Sequence, residues 1–83
     1  MTNKPDDLLG YVYEWLADQL TERIKSGDLP PMAPLPAERN LAAAYGVSLG
    51  TARHATRVLR KRGLVITVRS KGTYVAPQEP DQQ

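Results

Sequence analysis

Leu49, Arg53, Arg57 and Arg60, spaced by 4, 4 and 3, fall along one face of a helix drawn through residues 48 to 62. Ala52, Ala55 and Leu59 fall opposite them. Arginines in such a row present guanidinium forks, each able to grip a phosphate or to bond O6 and N7 of a guanine together. The surrounding charge is one-sided. Between residues 37 and 75 eight Lys and Arg stand against the single carboxylate Glu38, a net +7, whereas residues 1 to 36 carry −3 and the tail −2. No Asp or Glu occurs from residue 39 to residue 78. A face that serves solubility alone mixes both signs, so this bias points to a polyanion. The competing reading is a solvated helix face on a protein-interaction module.

Other chemistry lacks residues to carry it. There is no cysteine, which excludes disulfides and Cys-based zinc sites, and His54 is the single histidine. One imidazole with no clustered carboxylate is neither a metal site nor half of a catalytic pair, and it reads as an exposed helix residue. Asp6, Asp7, Glu14 and Asp18 form no convergent acid pair, and no Gly-rich phosphate loop is present. Neither enzymatic activity nor a cofactor or metal is expected. The chain of 83 residues, 41% apolar and 24% charged, suits one small globular domain. It has no apolar run of about 18 residues and its start lacks a secretory layout, so the cytosol is the expected compartment and no membrane partner is expected.

The elements that must position the arginine row follow from periodicity. Leu9, Val12, Leu16, Leu20 and Ile24 recur every three or four residues beside Trp15, which predicts an amphipathic helix from about Asp7 to Ser26. Asp6 and Asp7 suit its N-terminus and Gly27 its end. Four prolines in the stretch from Leu29 to Pro36 predict an extended connector with two or three residues of edge strand. A short helix is expected from Ala37 to Tyr45, with Leu41, Ala42 and Tyr45 inward and Gly46 as a left-handed cap. Ser48 then caps the helix that carries the arginines, which Gly63 ends. Together these make a helix-turn-helix. Leu64–Arg69 and Thr73–Ala76 read as a hairpin around Ser70-Lys71-Gly72. Residues 1 to 6 are expected to be a flexible N-terminus, 7 to 76 one domain, and 77 to 83 a disordered tail.

The order of these pieces resembles the DNA-binding domain of the GntR family of bacterial transcription regulators. The matching residues are Tyr13, Leu16, Leu20, Ile24, Ser26-Gly27 and Leu29, then Leu35-Pro36-Ala37-Glu38-Arg39 and Leu41-Ala42. They continue with Gly46-Val47-Ser48, Thr51, Arg53, Ala55, Leu59, Gly63-Leu64 and Gly72-Thr73-Tyr74-Val75, so the likeness covers about residues 11 to 76. It implies an α+β, mainly α fold: a three-helix winged helix-turn-helix with a C-terminal β-hairpin wing. It also implies sequence-specific binding of double-stranded operator DNA, usually to repress, as a homodimer on a palindrome. By the resemblance, Arg39 meets phosphate or base, and Ser48, Thr51 and Arg53 open the recognition helix, with Arg53 the base reader. Arg57 and Arg60 meet backbone, Lys61 and Arg62 are solvated charge, and Arg69, Ser70 and Lys71 bring the wing tip to the minor groove. Family members usually continue into an effector-binding domain, so no small-molecule effector pocket is expected within this chain.

Six positions depart from the family pattern. Leu49 stands where an arginine is usual, which removes one guanine contact and offers an apolar one, such as a thymine methyl, instead. Gly50 costs about 1 kcal/mol of helix propensity relative to Ala and permits close backbone approach. Ala37 and Asn40 replace a capping box, a loss of roughly 1 kcal/mol. Met32 and Ser70 fill positions that are commonly glycine. A nonspecific nucleic-acid-binding domain is a further alternative, and it would hold single strands and random duplex as tightly as any operator.

Overall fold

The computed structural model describes residues 11–77. Helix α1 spans Val12–Ser26, α2 Glu38–Tyr45 and α3 Leu49–Lys61, followed by strands β1 Val65–Val68 and β2 Gly72–Val75. The start expected for the first helix at Asp7, with its acidic cap at Asp6 and Asp7, lies outside the described residues. So does most of the tail.

Val12, Leu16, Leu20 and Ile24 recur every four residues on α1 and are all buried, joined on the same face by Ala17 and Thr21. The Thr21 hydroxyl is satisfied within the helix by the Ala17 carbonyl at 2.8 Å. Gly27 ends α1 at φ 90°, a left-handed conformation that glycine adopts without steric cost. The chain reverses there, and the Leu29 amide donates to the Arg23 carbonyl at 2.9 Å, which brings Leu29 into the core.

The connector uses the amides that its prolines lack neighbours to waste. Met32 donates to the Val75 carbonyl at 2.9 Å and Leu35 to that of Thr73 at 2.8 Å, while Val75 donates back to Ala33 at 2.8 Å. Pro34 forms a single bridge opposite Tyr74, narrower than the two or three strand residues expected. Pro34 needs no donor at this outer position, which is where a strand tolerates proline. Met32 adopts φ 68°, so a non-glycine residue holds the left-handed turn where the family favours glycine.

Helix α2 begins at Glu38 with no side-chain cap from Ala37 and ends at Gly46, φ 67°. Its inward anchor is Leu41, 1% exposed. Helix α3 starts better. The Ser48 hydroxyl accepts from the Thr51 amide at 3.0 Å and donates to the Thr51 hydroxyl at 3.0 Å. Ala52, Ala55 and Leu59 are fully buried, and so is Thr56, a polar residue that the apolar stripe did not include. Its hydroxyl donates to the Ala52 carbonyl at 3.0 Å, so this buried hydroxyl is not left unmet. Val58 is partly buried at the edge of the cluster.

One core joins Leu16, Leu20, Leu29, Leu35, Leu41, Leu59, Val65 and Val75, so every element contributes to it. Each of these large side chains stabilises the fold by roughly 1.5–3 kcal/mol through burial. The small Ala52 and Ala55 let α3 lie close to the other helices, fixing how its opposite face points. The strands pair antiparallel, Val65 with Val75 and Val68 with Gly72, which makes the hairpin start one residue later than Leu64 and end one before Ala76.

Candidate nucleic-acid interface

The first turn of α3 presents Leu49, 37% exposed, and Gly50, beside which an added Cβ would meet only the Ser48 hydroxyl at 3.9 Å. Thr51 is half-buried and engaged with Ser48. One turn on, Arg53 is exposed and its Nε donates to the Glu38 carboxylate at 3.3 Å. Contact through Nε leaves the two terminal nitrogens of the guanidinium available as a fork. Arg57 and Arg60 follow on the exposed face. Arg60 Nε donates to the Thr67 hydroxyl of β1 at 3.0 Å, which ties the outward face of α3 to the hairpin.

The hairpin turn carries Arg69, Ser70 and Lys71, all exposed. Ser70 takes φ 68° and the Lys71 amide donates to the Val68 carbonyl at 3.0 Å, closing the turn. As at Met32, a side chain occupies a left-handed position. A cleft of about 380 Å³ separates this turn from the helix-turn-helix, with Ala37, Glu38 and Thr56 on one side and Lys71 and Gly72 on the other. Arg39 is exposed in the first turn of α2, next to Glu38. The sequence-derived residues therefore gather around two features, the α3 face and the hairpin turn, except Arg39, which lies in the first turn of α2.

One expectation changes. Arg62 is not plain solvated charge: its terminal nitrogen donates to Asp18 and to the Thr21 hydroxyl of α1, each at 3.0 Å. His54 is exposed, yet its ring stacks on Tyr13 with centroids 3.8 Å apart and planes 8° from parallel. Arg23 is likewise committed, donating to Asp28 at 2.6 Å and to the Tyr45 hydroxyl at 3.2 Å, and the hydrogen bond it gives to Asp28 foremost, then that to Tyr45, raises its pKa above the usual guanidinium value. Tyr45 also packs edge-on against Trp15. Glu38 is the residue whose place near the arginine row was not anticipated. Its signal lay in its isolation as the lone carboxylate of the basic segment, but nothing in the sequence spacing selects Arg53 as its partner.

No described helix is long and apolar enough to cross a membrane, and no His, Cys, Asp and Glu group among the described residues could hold a metal ion. Residues 12–75 match the family model for bacterial regulatory proteins of the gntR family. The HTH-type transcriptional repressor NagR of Bacillus subtilis (strain 168) is 37% identical over 71 residues, which are 86% of this chain and 29% of the relative. The mannosyl-D-glycerate transport/metabolism system repressor MngR of Escherichia coli (strain K12) is 38% identical over 64 residues, 77% of this chain and 27% of that protein. The chain thus spans under a third of the length of these repressors. Among solved structures, the DNA-binding domain of AraR in complex with its operator ORR3 superposes with a TM-score of 0.72 at 33% identity, covering 77% of each chain. The fold is accordingly the winged helix-turn-helix, with β1 and β2 as its wing, and the chain belongs to the GntR family of bacterial regulatory proteins.

Proposed function

We propose that residues 7 to 76 form an operator-binding domain that acts in transcription regulation by reading double-stranded DNA. Helix α3 enters the major groove and the wing lies along the adjoining backbone and minor groove. The observation that carries this reading is the lateral link between the outward arginine face of α3 and the wing, made by Arg60 and Thr67. Arg53 reads a base, supported by its free guanidinium fork, and Leu49 and Gly50 lie against the groove edge. Ser48 orients the Thr51 hydroxyl, which with Arg39 and Arg57 holds phosphate or sugar, and Arg69, Ser70 and Lys71 hold the DNA at the wing. Two copies on a palindrome would set their recognition helices about one turn of DNA apart, with half-sites roughly 10 base pairs apart. Its repressor relatives support a repressive role, and the place proposed for it is the cytoplasm, at the nucleoid.

Selection of sites from a random duplex pool, followed by titration at two salt concentrations, tests the reading. With about 5 phosphates neutralised per monomer, log K falls with log salt at a slope of about −4 to −5 for each bound monomer. Failure to enrich any sequence, or a flat salt response, rejects it.

A further inference from the structure

Resting on the operator-binding reading, we propose that Leu49 and Gly50 are one specificity device: a thymine-reading step in which Leu49 contacts the C5-methyl of a thymine and Gly50 clears the space for it. Leu49 is 37% exposed and stands outside the core cluster, so the fold does not account for its size. An exposed leucine alone is ordinary. The second observation is its neighbour. Gly50 has no positive φ, and a Cβ there would meet nothing closer than the Ser48 hydroxyl at 3.9 Å. Neither backbone conformation nor packing therefore requires glycine, although glycine is the poorer helix former. What glycine does supply is a bare strip of helix surface, adjacent to Leu49, over which a partner can come close.

The polar groups of the same turn narrow the partner further. The single proton of the Ser48 hydroxyl is already committed to the Thr51 hydroxyl, and the first cation on this face is Arg53, one turn on. The leading turn thus offers an apolar side chain beside exposed backbone. Among the groups displayed in the major groove, the thymine C5-methyl is the one that takes an apolar partner.

The experiment uses a duplex selected by the wild-type chain, in which each thymine of a half-site is replaced singly by uracil, which lacks only the methyl. One replacement is expected to weaken wild-type binding about fourfold, the effect of losing one buried methyl-sized group. L49A should lose about the same factor on unmodified DNA and ignore that replacement. G50A should melt no lower than wild type yet bind the selected duplex about fivefold or more weakly, because its new methyl intrudes on the contact. The proposal is overturned if no thymine responds, if L49A keeps the uracil sensitivity, or if G50A binds as tightly as wild type. If the wild-type chain selects no duplex at all, the operator-binding reading itself fails and this proposal with it. A selected duplex without a Leu49-dependent methyl effect removes this proposal alone.

Discussion

Arg53 and Arg62 sit on the same basic helix and its C-cap, yet they are held in opposite ways. Arg62 turns back to α1, where Asp18 and Thr21 take its terminal nitrogen at 3.0 Å each. Arg53 faces out and is steadied through Nε by Glu38, at 3.3 Å, on the neighbouring α2. The first arrangement commits one terminal nitrogen of the guanidinium, Nη1, to both internal acceptors, and the second leaves both terminal nitrogens free. Net charge, +7 over residues 37 to 75, does not separate the two roles. The atom used for the internal contact does, because a guanidinium with both protons of one terminal nitrogen committed can no longer offer the two-nitrogen fork to a base.

The strongest way to break this comparison is Arg53→Ala. Its expected cost is about 1–3 kcal/mol on a selected operator, with relaxed base preference and a smaller loss on random duplex. Equal losses on both would remove its base-reading role, and thermal unfolding should barely move, since the Glu38 pair is exposed and contributes little. Arg62→Ala should do the reverse. It is expected to lower stability by about 0.5–1 kcal/mol while leaving the affinity of the folded fraction unchanged, and high salt should shrink the loss because the pair with Asp18 is half exposed. Lys71→Ala sharpens the contrast from the wing. It should weaken all duplex sequences alike and reduce the salt slope by about 1, as loss of one phosphate contact does.

The smallest effect is expected at the wing turn. Ser70→Gly relieves a left-handed backbone that costs a non-glycine residue about 1–2 kcal/mol, but it also loosens the unfolded chain. The two nearly offset, for a net gain below about 1 kcal/mol in denaturant titration. A loss of stability would mean that the Ser70 turn is not strained.

Much of this architecture could be read from local pattern. The Leu16, Leu20, Ile24 spacing gave α1 its buried face, Gly46 its neighbouring helix an end, and the β-branched runs the wing. These are properties of segments shorter than about two dozen residues, where periodicity carries the information. Pairings across the fold were not legible. Glu38 and Arg53 lie 15 residues apart, Thr21 and Arg62 41 apart, and neither separation matches the repeat of a single element. Tyr13 and His54 met for the same reason, once α1 and α3 had packed. Thr56 escaped notice because a hydroxyl reads as surface until its bond to the preceding turn hides it. Met32 and Ser70 were visible as departures from a glycine pattern, but only the backbone shows that both keep the conformation glycine would have taken.

The laced connector has a mechanical consequence. Amides of Met32 and Leu35 fasten it along β2, and Leu35 leads within three residues into Glu38 at the head of α2. The wing is therefore no loose flap hung from its own turn. Its second strand is joined by backbone hydrogen bonds at Met32, Ala33 and Leu35 to the segment that runs into α2, whose Glu38 steadies Arg53, so one continuous backbone ladder connects the two ends of the interface.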